Sequence, residues 1–135
     1  MLSQPKVILC ADDDPDDREL MCETATKIDP TVQIVTADNG KDALQKLKEL
    51  ESANMLPCLI ILDMNMPIMG GEETLKEIRN HKEWDNIPIA IFTTSPKNFY
   101  THLEEKYGIN IVTKPAQYDV IVKEVTQLLS YCRAA

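Results

Sequence analysis

The chain has 135 residues, 44% of them apolar and 27% charged, with a formal net charge of -8. That length is the usual size of one domain and buries roughly two-thirds of its unfolded surface, so one core forms without staples; residues 1–135 are read as a single domain. The acidic balance and the lack of a Lys/Arg cluster argue against a nucleic-acid partner. The composition argues against disorder, and no apolar run approaches the ~18 residues of a membrane span.

In chain order, Lys6 to Ala11 reads as a short buried strand that stops at Asp12-Asp13-Asp14. Asp14-Pro15 is a helix start, with Asp at the N-cap and Pro at the first helical position. Asp16 and Asp17 fall in the first turn, where the helix dipole favours them. Leu20, Met21, Thr24, Ala25 and Ile28 give one inward stripe, and Asp29-Pro30 ends the helix. Val32 to Ala37 is a second strand and Asp38-Asn39-Gly40 a turn. Ala43, Leu44, Leu47 and Leu50 mark the second helix, followed by a loop from Ser52 to Pro57.

Cys58 to Asp63 is the third strand, an apolar run closed by one carboxylate. Glu72 to His81 is the third helix, with Leu75 and Ile78 inward, and Trp84 is expected at the core edge. Pro88 to Thr93 is the fourth strand, running into Thr94-Ser95-Pro96. Phe99, Leu103 and Tyr107, spaced by four, predict the core face of a fourth helix that Gly108 ends. Ile109 to Thr113 is the fifth strand, followed by Lys114-Pro115. Asp119 to Tyr131 is the last helix, with Ile121, Val125, Leu128 and Leu129 inward. Five strand–helix units imply a parallel sheet covered on both faces.

Four cysteines, Cys10, Cys22, Cys58 and Cys132, form no C-x-x-C pair and have no His at zinc spacing. They are expected to be reduced and packed as small hydrophobes, which suits the cytosol. Met1 to Pro5 lacks the regions of a signal peptide, so a cytoplasmic location is expected.

In a parallel sheet all strands end at one rim. Asp12/Asp13, Asp38, Asp63, Thr93/Thr94 and Lys114 would therefore converge, at the place where open α/β sheets carry their chemistry. Two carboxylates about 4 Å apart repel by ~4 kcal/mol at an effective dielectric of 20. A shared proton, water or a cation must offset this, and Mg²⁺ suits an oxygen-only site beside a phosphate. Lys114 adds a point charge suited to a phosphate oxygen. Each motif alone has a plainer reading as a helix cap or a turn; their joint placement at successive strand ends is what points to a site.

The ordered set resembles a CheY-like receiver domain, the response-regulator module of two-component signalling. The resemblance rests on Asp12-Asp13, on Asp63-Met64-Asn65-Met66-Pro67 with Gly71, on Thr93-Thr94 and on Lys114-Pro115, and it spans about Lys6 to Cys132. It implies a flavodoxin-like (βα)5 three-layer sandwich with sheet order 2-1-3-4-5. It implies Asp63 as phosphoacceptor, and Asp13, Asp12 through water, Asp63 and the Asn65 carbonyl around Mg²⁺. Thr93 would be the switch hydroxyl, Thr94 would offer its N–H to the phosphoryl group, and Lys114 would pair with that group. Pro115 would follow a cis peptide bond. Two positions depart from the family: Ile111 stands where an aromatic residue is frequent, and Ala116 where Phe is.

The implied partners are a sensor histidine kinase or histidine phosphotransfer protein and a downstream target protein. With the sequence ending at Ala135, the expected output is a protein contact, and the oligomeric state stays open. The expected activity is confined to the protein's own phosphorylation and dephosphorylation. The alternative is a haloacid-dehalogenase-type phosphatase, which needs a second Asp where Asn65 stands. A calcium-loop reading of Asp12, Asp14, Asp16 and Glu23 fails at Asp17, where such a loop needs Gly.

Overall fold

The computed structural model describes residues 6–132, apart from the side chains of Lys97 and Tyr118. Met1 to Pro5, the stretch read for a signal peptide, lies outside the described residues. Five strands form one parallel sheet in the order β2-β1-β3-β4-β5, with β1 at Lys6–Ala11, β2 at Val32–Ala37, β3 at Leu59–Leu62, β4 at Ile89–Thr93 and β5 at Asn110–Thr113. Five helices alternate with them: α1 Pro15–Ile28, α2 Gly40–Ser52, α3 Gly71–Asn80, α4 Thr101–Tyr107 and α5 Tyr118–Leu129.

The strands alternate their side chains between two cores. Leu9, Ala11, Ile60, Leu62, Ile89 and Ile91 pack on one face with Ala43, Leu47, Leu75, Ile78 and Leu103 from α2, α3 and α4. Ile8, Cys10, Ile61, Ala90 and Phe92 pack on the other with Met21, Ala25, Val125 and Leu128 from α1 and α5. Burial on both faces is why the strands read as continuous apolar runs.

The helix ends follow local chemistry. The Asp14 carboxylate accepts from the N–H groups of Asp16 and Asp17 ahead of Pro15. Asn39 caps α2 by accepting from Asp42 N–H at 2.9 Å, so Gly40 is the first helical residue rather than part of the expected turn. Gly108, at φ 65°, ends α4 in the left-handed region that favours glycine.

Four expectations are corrected. β3 is shorter than read: Cys58 and Asp63 flank it, although their N–H groups still bond to β1 at the carbonyls of Val7 and Ala11. Phe99 is 61% exposed, because a short 3-10 turn at Lys97–Phe99 follows Pro96 and α4 begins only at Thr101, which takes Phe99 off the helical spacing. Trp84 belongs to the core proper, 2% exposed and stacked on His81 at 3.7 Å. Cys58 and Cys132 are paired as a disulfide, with Cα atoms 4.8 Å apart, instead of being separate thiols. One precedes β3 and the other follows α5, two points that the fold brings together and no local spacing reveals. Cys10 is buried and unpaired, as expected.

At the pole opposite the strands' carboxyl ends, Arg79 ties three segments. Its guanidinium donates to the carbonyls of Tyr107 at 3.4 Å, Asp85 at 3.1 Å and Ile87 at 3.0 Å. At the other pole Gly71 packs its backbone on the Asp63–Met64 turn, and its N–H donates to the Met64 carbonyl at 3.0 Å. A Cβ at Gly71 would fall on the Asp63 carbonyl oxygen and 2.8 Å from Met64 Cα. Gly71→Ala is therefore expected to cost about 1–3 kcal/mol in urea unfolding, the usual range for overpacking; an unchanged midpoint would show that the turn yields freely.

Candidate functional site

The sheet register builds the site. Ala11 pairs with Leu62, so Asp12 and Asp63 are the next residues on neighbouring strands. Carboxylate oxygens of Asp12, Asp13 and Asp63 lie within 4.8 Å of one another. Asp12 and Asp63 are 5% and 7% exposed, while Asp13 is open to solvent. Thr93 pairs with Thr113, and Lys114 N–H then donates to the Thr93 carbonyl at 2.7 Å. This sets the Lys114 side chain beside the acidic group: its Nζ is 2.6 Å from Asp12, 2.9 Å from Asp17 and 3.6 Å from Asp63.

Asp12 is held on every side. Its Oδ1 accepts from Asp14 N–H at 3.0 Å, its Oδ2 accepts from Lys114, and its carbonyl accepts from Arg18 at 2.7 Å. Burial pushes the Asp63 carboxyl up to about 6; Lys114 pulls it down, the Asp12 charge adds to the rise, and the N–H groups of Asn65 and Met64 oppose it. Burial disfavours the charged Lys114 ammonium, yet the hydrogen bonds to Asp12 and Asp17 and the charges of Asp12 and Asp63 outweigh that and hold it above its ordinary value.

Thr93 is fully buried, and its hydroxyl accepts from Ser95 N–H at 3.3 Å. Thr94 beside it is exposed. Asn65 donates through Nδ2 to Ser95 Oγ at 3.3 Å, bridging the ends of β3 and β4 over the site. The rim therefore gathers Asp12, Asp13, Asp63, Asn65, Thr93 and Lys114, with Thr94 adjoining. Asp38 is not in the acidic group; it follows edge strand β2 and accepts from Asn39 Nδ2 at 2.8 Å.

Asp17 is the site residue that sequence reasoning missed. It was read only as a first-turn acid favouring the helix dipole. The one available signal was that α1 starts at the rim, so its first turn faces the end of β5. The expected cis bond before Pro115 is corrected: no peptide bond of the described residues is cis. The ladder carries on regularly through Lys114 N–H, and trans is the intrinsic preference of an X–Pro bond. Ile111 lies 5% exposed in the core under α4, and Ala116 is exposed.

The donor set fits a divalent cation that prefers oxygen. Three carboxylates converge and, among the described residues, no His nitrogen or Cys sulfur belongs to the group. Both Asp12 oxygens already accept hydrogen bonds, whereas exposed Asp13 is open to direct contact.

The raised carboxyl of Asp63 makes a pH prediction for the metal-free protein. Its pKa lies near 6 in the folded chain and about 3.9 in the unfolded one. The folded state thus binds the proton more tightly, so Asp63 costs no stability below pH ~4 and lowers stability as pH rises through ~6. Asp63→Asn should then stabilise the protein by about 2 kcal/mol at neutral pH and by little at pH ~4. Urea unfolding of both proteins at the two pH values checks this; a gain that does not grow with pH would contradict it.

Comparison with known proteins places this geometry. Residues 8–126 match the family model described as the response regulator receiver domain. The phosphorylated cyanobacterial phytochrome response regulator RcpA superposes with a TM-score of 0.83 at 26% identity, covering 96% of this chain and 94% of that one. The Mn(2+)-bound response regulator Rcp1 gives a TM-score of 0.80 at 26% identity, covering 97% of each chain. Hybrid signal transduction histidine kinase D of Dictyostelium discoideum is 27% identical over 129 residues, which are 95% of this chain and 8% of that protein. The chain spans only 8–36% of the length of the first curated relatives it matches, so it is similar to one module within them. A family match over residues 8–126, spanning the strand ends that crowd three carboxylates against one lysine, leaves one assignment: the chain belongs to the response regulator receiver domain family.

Proposed function

We propose that Asp63 is the phosphoacceptor of this receiver domain and takes its phosphoryl group from a phosphohistidine. The carrying observation is the burial of Asp63 between two further carboxylates and the Lys114 ammonium at the sheet's carboxyl rim. Receiver domains of response regulators are phosphoacceptor signalling modules, and the likeness to a hybrid histidine kinase supports a kinase or a histidine phosphotransfer protein as donor. The phosphatase alternative has no support: the residue it needs as a second acid is Asn65.

Asp63 attacks as the carboxylate, the form that predominates above about pH 6. One carboxylate oxygen bonds to phosphorus as the phosphorus–nitrogen bond to the imidazole breaks, and the donor histidine leaves with that electron pair. The product is an acyl phosphate on Asp63. Lys114 faces the charge on the transferring oxygens, an electrostatic contribution strengthened by the burial of Asp12 and Asp63 beside it. The Thr93 hydroxyl turns toward the new phosphoryl oxygens, and Thr94 N–H offers a further donor.

We propose that the divalent ion is Mg²⁺, which Asp13, Asp63 and the Asn65 carbonyl would hold, with Asp12 assisting. Its chemistry there is to neutralise charge on the phosphoryl oxygens. The Mn(2+)-bound relative supports a divalent ion at such a site. Asn65 and Ser95, already bonded to each other over the rim, are placed to control water's approach to the acyl phosphate, and so its lifetime. The output is contact with a downstream target protein. Because the family match leaves only short flanks, residues 1–135 read as one receiver domain, and the kinase link supports a cytoplasmic site of action. Among the described residues no helix is long and apolar enough to cross a membrane.

Incubation with acetyl phosphate and Mg²⁺ should add one phosphoryl group by intact mass, and Asp63→Asn should add none. A normal adduct on that variant would refute the assignment. Lys114→Ala should slow phosphorylation by about 10²-fold, the loss typical of one charge-stabilising donor, and chelation of divalent ions should stop it. Asp17→Asn, which removes one of the two short ion pairs of Lys114, should slow it less. A Lys114→Ala rate equal to wild type would remove the lysine from the mechanism.

A further inference from the structure

We propose that Cys58 and Cys132 form a reversible redox-modification site, a dithiol that exchanges selectively with small disulfides of the glutathione type and staples α5 to the start of the strand leading to Asp63. The backbone brings the pair together. Cys58 N–H donates to the Val7 carbonyl at 2.9 Å, fixing it on β1, and Cys132 N–H donates to the Leu129 carbonyl at 3.0 Å, fixing it on the last turn of α5. Their Cα atoms, 4.8 Å apart across 74 residues of sequence, stand within the span a disulfide takes without backbone movement.

Neither of the other two thiols has a partner with which to close a bridge. Burial pushes the Cys10 thiol up to about 12, which keeps it protonated and unreactive. Cys22 is raised by burial, and both are unpaired. Cys58 is half-buried and offers an entry point, while Cys132 is 5% exposed. The exchange follows from this asymmetry. The Cys58 thiolate attacks one sulfur of glutathione disulfide, expelling one glutathione thiolate. The Cys132 thiolate then attacks Cys58 Sγ of the mixed disulfide and expels the second. Two protein thiols lose two electrons and two protons, and one glutathione disulfide becomes two glutathiones.

The closed loop contains Asp63, Thr93 and Lys114 together with α3, α4 and α5. Oxidation therefore ties down the half of the domain that carries Asp63, Thr93 and Lys114, at the pole away from them, while Asp12, Asp13 and Asp17 lie outside the closed loop. Cross-linking a loop of this length restricts the unfolded chain and raises stability.

The test uses the full chain, equilibrated with glutathione disulfide or with dithiothreitol, then alkylated and digested. A Cys58–Cys132 cross-linked peptide is expected, with Cys10 and Cys22 still alkylated and the link reversed by dithiothreitol. The oxidised protein should melt on the order of 10 °C above the reduced one. Cys58→Ser and Cys132→Ser should each melt like the reduced wild type in both conditions. Alkylation of all four cysteines after oxidation, glutathione retained on Cys22 alone, or equal melting of oxidised and reduced wild type would overturn the proposal. The wild-type comparison decides the matter even if a serine variant folds poorly.

Discussion

Three carboxylates share a space that one ammonium, that of Lys114, enters among the described residues. Lys114 reaches Asp12 at 2.6 Å and Asp63 at 3.6 Å, and without it the repulsion between those acids, about 4 kcal/mol per close pair at an effective dielectric of 20, would fall on a domain of ordinary stability. The charge balance is still incomplete, and this is the useful part. A site left short of positive charge is suited to a divalent cation, the fit that its three converging carboxylates show. Asp17, in the first turn of α1, gives the lysine a second short ion pair at 2.9 Å.

Every member of that group is placed by the sheet. Asp12 and Asp63 meet because β1 and β3 are parallel neighbours in a register that pairs Ala11 with Leu62. Thr93 and Lys114 meet them because β4 and β5 follow in order. A register slip by one residue would turn the core face of a strand outward and scatter the site at once. The two apolar cores that fix the register, Leu9 with Ile60 and Ile91 on one face and Ile8 with Ile61 and Ala90 on the other, thus serve the chemistry as directly as the acids do.

Much of this was legible in the sequence. The bounds of β1 and β2 match the reading residue for residue, because both segments are short, rich in apolar and β-branched residues, and bounded by Asp and Pro. Strand polarity alone put Asp12, Asp13, Asp38, Asp63, Thr93, Thr94 and Lys114 at one rim, and Asp38, on edge strand β2, stays outside the acidic group; the order of the strands came from the family resemblance. Elsewhere tertiary geometry decided. Phe99 keeps a helical spacing with Leu103, yet Pro96 and a 3-10 turn delay the helix past it. Asp17 looked like a dipole residue because its partner, Lys114, lies 97 positions away. The pairing of Cys58 with Cys132 depends on where α5 ends against the sheet, which no local pattern encodes.

The clasp that Arg79 makes among the ends of α3 and α4 and the connection into β4 sets how a signal can travel through the molecule. One pole is tied together by a guanidinium bound to several carbonyls. At the other, Thr94 and Phe99, in the passage from β4 to α4, are exposed. With the carboxyl end of α4 anchored at the base and its approach from β4 open to solvent, a change felt at the rim would reach the outer surface through that approach, over a sheet braced on both faces.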